Sequence, residues 1–69
     1  MSGMRLDLKM WRLKNGYRQE DVAKTMGMSR VTYQSIELGK RDGRQSFWER
    51  LQKAYDIPDA EMWLLMKKQ

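Results

Sequence analysis

Apolar residues recur along the chain at helical spacing in five short runs, with glycine or proline between them. The first run predicts a helix from about Arg5 to Asn15, with Leu8 and Trp11 facing inward at i, i+3 and Gly16 as the stop. A second runs from Gln19 to Met26, with Val22, Ala23 and Met26 inside and Gly27 after it. A third runs from Arg30 to Glu37; Ser29 is its N-cap and Gly39 closes it. In the fourth, Ser46 to Tyr55, the residues Phe47, Trp48, Leu51, Ala54 and Tyr55 give a strong amphipathic stripe. The fifth runs from Asp59 to Lys67. Pro58 and Asp59 suit its start, and Lys67 and Lys68 are expected to complement the dipole at its end. Strand alternation is weak, and Met, Leu, Lys, Arg, Gln and Glu favour helix. The pattern predicts an all-α, compact five-helix domain over residues 4–69. Residues 1–3 are expected to be a disordered lead, or Met4 the true start.

A chain of 69 residues has room for one core only. It has no Cys and no His, which excludes disulfides, thiolate chemistry and the usual zinc ligands. The side chain best suited to acid-base work near neutral pH is missing as well. No Gly-rich phosphate loop precedes a Lys-Ser/Thr pair and no carboxylates cluster, so no reaction class can be assembled. The expectation is a non-enzyme with no metal, no cofactor and no small-molecule ligand. The longest unbroken apolar run, Met62 to Met66, is five residues, against about 20 for a membrane span. The N-terminus has no secretory pattern. A cytoplasmic protein without a membrane partner is expected, in a bacterium or a phage-infected host.

Charge separates the chain into two parts. Residues 1–44 hold ten Lys or Arg and five Asp or Glu, while residues 45–69 hold four of each. The whole excess of +5 therefore lies in the first two-thirds. Such asymmetry suits a polyanion-binding face beside a structural or partner face, the alternative being a mildly basic solvated surface.

The second and third predicted helices are joined by Gly27-Met28-Ser29. A turn this short brings two helices together at roughly 90–120°. That geometry needs a small residue where the helices touch, and Ala23 supplies it. It needs a turn residue tolerant of positive φ, which is Gly27. It also needs apolar anchors on both helices: Val22, Met26, Met28, Tyr33 and Ile36. The segment from Gln19 to Arg41 resembles the helix-turn-helix of the phage repressor and Cro (Xre-type) regulators. Gln19, Ala23, Gly27, Ile36, Glu37, Gly39 and Lys40 carry the match. Leu8, Trp11, Arg12 and Gly16 match the family's first helix, and Phe47 to Ile57 resemble its fourth. The likeness spans about Leu8 to Leu65 and implies a lambda-repressor-like fold. Three positions depart from the pattern: Arg18 replaces a Ser or Thr cap, Tyr33 replaces a β-branched residue, and Asp42-Gly43-Arg44 replaces a loop that often carries Pro.

The resemblance implies that the third helix enters the major groove of double-stranded DNA. At about 100° per residue, Arg30, Val31, Gln34 and Ser35 share one face, with Leu38 beside them and Thr32 at the edge. Tyr33, Ile36 and Glu37 take the other face. Arg pairs bidentately with guanine, Gln with adenine, and Val packs on a thymine methyl. The expected base readers are therefore Arg30, Val31, Gln34, Ser35 and Thr32. The expected phosphate contacts are Arg18, Gln19, Ser29, Lys40, Arg41 and Arg44. By family analogy Arg12 and Glu37 form a structural ion pair.

The neutral C-terminal part is rich in large apolar side chains. Trp63, Met66 and Ile57 are the expected surface of a homodimer reading two half-sites; the alternative for Trp63 is a core role. Two functions follow. The leading one is a transcriptional regulator, a repressor acting by promoter occupancy as a dimer on a palindromic operator. The alternative is an antitoxin or antirepressor-type protein whose main partner is another protein.

Overall fold

A computed structural model describes residues 3–69. Its helices are α1 (Leu6–Lys14), α2 (Gln19–Thr25), α3 (Arg30–Glu37), α4 (Gln45–Tyr55) and α5 (Asp59–Met66), and no strand occurs among the described residues. The expected lead over residues 1–3 lies outside the described residues except for Gly3, which packs against Gly39.

Three of the four interhelical turns use one device. Gly16, Gly27 and Gly39 each follow a helix with φ between 70° and 79°. The next amide reaches five residues back: Tyr17 to the Arg12 carbonyl, Met28 to Ala23, Lys40 to Ser35, at 3.0, 2.9 and 2.9 Å. The left-handed turn thus satisfies carbonyls that the helix end leaves open. At the end of α4 the left-handed position is held by Asp56, φ 53°, and Ile57 N–H reaches the Gln52 carbonyl.

Both ends of α3 are as expected, and the other four helices each differ from expectation by a residue at one end or both. α1 begins at Leu6 because Arg5 is its N-cap. α2 ends at Thr25, α4 starts at Gln45, and α5 ends at Met66. Lys67 is extended, ψ 134°. Lys68 turns to Asp42 in the loop before α4, Nζ to Oδ1 2.5 Å, so the pair expected to serve the end of α5 does not act together there.

α2 and α3 close on each other at Ala23, 1% exposed, with Val22, Met26, Tyr33 and Ile36 buried around it. Leu8 and Trp11 of α1, Phe47, Trp48 and Leu51 of α4, and Met62 and Leu65 of α5 complete one core. Trp11, Tyr17 and Tyr55 form a cluster of ring pairs with centroids 5.1–5.9 Å apart, fixing the α1–α2 turn against the end of α4. Ile57 is 4% exposed and belongs to this core. The surface role expected for it is corrected: the Asp56 turn directs it inward beneath α5. The fold is the all-α, lambda-repressor-like arrangement that the resemblance implies. No helix among the described residues is long and apolar enough to cross a membrane.

Candidate nucleic-acid interface

α3 is set in place from its inner side. Ser29 Oγ accepts from the Thr32 amide at 3.1 Å and donates to Thr32 Oγ1 at 2.9 Å, which starts the helix. At the other end Glu37 is 1% exposed and accepts from three residues. Arg12 donates from Nε at 2.7 Å and from Nη2 at 3.2 Å, Tyr33 from its hydroxyl at 2.7 Å, and Gln19 from Nε2 at 3.2 Å. Arg12 also donates to the Tyr17 carbonyl. One carboxylate thus joins α1, α2 and α3. Burial alone pushes the Glu37 carboxyl up; the bonds from Arg12, Tyr33 and Gln19 together outweigh it and hold the group below its ordinary value. The bond to Glu37 raises Arg12, and burial followed by the bond to Glu37 raises Tyr33.

The outward side of α3 carries Val31, 61% exposed, with Arg30 exposed and Gln34, Ser35 and Thr32 half-buried. Two of these side chains are engaged within the helix. Ser35 donates to the Val31 carbonyl at 3.0 Å, and Arg30 Nη1 approaches Gln34 Oε1 at 3.4 Å. The Arg30–Gln34 contact is long and exposed, so it yields at little cost to a better partner.

The expected phosphate contacts divide into two groups. Lys40, Arg41 and Arg44 lie in the exposed segment after α3, and their side chains have no bond or ion pair among the described residues. Arg18 is exposed with Glu20 3.8 Å away. In place of a Ser or Thr cap, the Arg18 amide donates to Asp21 Oδ2 at 2.8 Å, which starts α2 from its third residue. Ser29 and Gln19, by contrast, are already engaged, by Thr32 and Glu37. Gln19 Nε2 keeps one of its two N–H groups free for a further acceptor.

Sequence reasoning missed two arginines. Arg5 is 4% exposed. Its Nη1 donates to the carbonyls of Ile36 and Arg41 at 2.7 and 2.9 Å, its Nη2 to Asp42 at 2.9 Å, and its Nε to Met66 at 3.0 Å. The guanidinium lies 5.1 Å from the Trp48 ring centroid. Burial lowers its pKa and Asp42 raises it, and an arginine stays charged in either case. Arg5 thus fixes the end of α3 and the loop after it. Its one signal in the sequence is a cation at a helix start, where the dipole disfavours it. Arg50 of α4 donates to the carbonyl of Met26, the C-cap of α2. No sequence signal marks it.

No curated protein and no solved structure matches the chain. A family model described as a helix-turn-helix domain matches residues 5–65. This range takes in all five helices except the last residue of α5. The chain therefore belongs to the helix-turn-helix domain family, with α2 and α3 as the two helices of the motif.

Proposed function

We propose that the protein is a sequence-specific transcriptional regulator of the phage repressor and Cro type, which represses promoters by occupying them as a dimer on a palindromic operator. It acts in the cytoplasm, where its DNA target lies. The observation that carries this reading is the two-sided character of α3. Its inner side is fixed by the buried Glu37 and Arg12, while Arg30, Val31, Gln34 and Ser35 face outward. Lys40, Arg41 and Arg44, unpaired among the described residues, follow the end of the same helix, where a groove-bound helix meets the backbone. Thr32, Arg18, Gln19 and Ser29 border this surface. Bases are read by the outward four, and phosphates are gripped by the cations.

Selection of bound sequences from a random DNA library tests this. The expected product is an inverted repeat with half-site centres one helical turn, about 34 Å, apart. With six or more phosphate contacts, affinity falls by about a thousandfold or more between roughly 50 and 200 mM salt. Unenriched sequences, or an affinity flat over that range, would refute the reading.

A second reading keeps DNA binding but makes another protein the main partner, as in antitoxins. Trp63, 75% exposed beside Glu49 and Asp59, favours it, because that surface suits a basic protein. Co-purification of a small basic protein seated on Trp63 would decide for it.

A further inference from the structure

The outer side of α1 has no part in the DNA-facing surface. Leu6, Met10 and Leu13 follow one another at i, i+4 and i+7 and are 42%, 55% and 52% exposed. At about 100° per residue, this ridge lies opposite the buried pair Leu8 and Trp11. Both flanks of the helix are occupied. On one, Arg5 and Arg12 turn to the C-terminal end of α3. On the other, Asp7, Met10 and Lys14 line a groove of 320 Å³ with Glu61 and Leu64 of α5. Leu64 is itself 51% exposed. α1 therefore stands between α3 and α5 and turns an apolar ridge to solvent.

We propose that this ridge docks a second copy of the chain, with the two α1 helices antiparallel across a two-fold axis near Met10. Charge selects that occupant. Asp7 and Lys14 lie towards opposite ends of the ridge on the same flank, so reversing one copy brings the Asp7 of each, which also accepts from Gln69 Nε2 at 3.0 Å, towards the Lys14 of the other. A self-complementary patch of this kind is what an isologous interface requires. The Trp63 groove lacks the property: its charged lining residues are Glu49 and Asp59, with no cation. Two copies joined there set like charges together.

Direction agrees. A two-fold axis running from α1 towards α3 leaves both α3 helices on the same side of the pair. Glu37 points from α3 back to α1, and Val31 and Ser35 lie on the far side of α3. Both outward faces then look the same way, as two half-sites on one side of a duplex demand. This direction rests on the DNA reading above; the charge and the ridge do not.

The chain has no cysteine, so one introduced thiol reports its own surroundings. A disulfide needs Cα atoms within about 7 Å, which two copies satisfy only near their axis. Met10→Cys is expected to oxidise to a covalent dimer under mild oxidant, several times faster than Trp63→Cys, each checked for fold by circular dichroism. Faster linking through Trp63→Cys, or equal slow linking of both, overturns the proposal. On selected DNA, Met10→Lys is expected to keep its affinity for one half-site within about twofold and to lose about tenfold or more of the gain from a second. A full gain retained by Met10→Lys overturns the proposal as well. If the wild type binds no DNA, the regulator reading fails while the cross-linking result still decides the docking surface.

Discussion

Glu37 accepts hydrogen bonds from Arg12, Tyr33 and Gln19, and both Arg12 and Glu37 are buried. Glu37→Gln preserves shape but leaves the guanidinium inside without its anion. Breaking such a buried pair costs about 3 kcal/mol or more, and urea unfolding is expected to show a loss of that order. Acid acts on the same group. The folded carboxyl lies below its ordinary value of 4.5, which the unfolded chain keeps. Its contribution is complete above that value and is lost as pH falls through the lower, folded one. Thermal unfolding followed down the acid limb is expected to drop more steeply for the wild type than for Glu37→Gln. Two glycines give a second comparison. Gly27 has a left-handed φ of 70° and its nearest neighbour is the flexible end of Arg50, so Gly27→Ala is expected to cost about 1–2 kcal/mol. Gly39 has the same handedness, but an added Cβ would overlap the Gly3 carbonyl. Gly39→Ala is expected to cost clearly more, read as a lower urea midpoint.

α3 is the element whose two ends make separable predictions. If Arg30 reads a base as proposed, Arg30→Ala is expected to relax preference at one operator position by about 1–3 kcal/mol. If Lys40 grips a phosphate as proposed, Lys40→Ala is expected to weaken all sequences alike and lower the salt slope by about one. Anisotropy titrations on matched and mismatched duplexes at several salt concentrations separate the two. α3 was also the most legible element, with its bounds and both faces read directly, because Ser29, Gly39 and the Tyr33–Ile36–Glu37 spacing are local signals. α1 was legible only on one side. Leu8 and Trp11 announce the buried face, but Leu6, Met10 and Leu13 form a second apolar stripe that local pattern cannot rank against the first. From Met62 onward α5 is apolar on all sides, so periodicity gives no direction there, and it is the Asp56 turn that leads Ile57 into the core.

At the scale of the whole molecule, charge asymmetry pointed to the part of the chain that holds α2 and α3 and overstated its surface charge. Two of the ten cations in residues 1–44, Arg5 and Arg12, are interior struts. Which cations go inside depends on carbonyls and carboxylates brought from far along the chain, and composition carries no record of that. Arg5 has a consequence of its own. Its four acceptors lie on Ile36, Arg41, Asp42 and Met66, and Gln69 N–H meets the Met4 carbonyl at 2.8 Å beside it. One of the four bonds that hold Arg5 therefore waits for the end of α5. While the chain is still leaving the ribosome, α2 and α3 can pair as neighbours, but the strut that fixes the end of α3 lacks one of its anchors. The end of α3 is thus braced in full only once the far end of α5 has come to lie against Arg5.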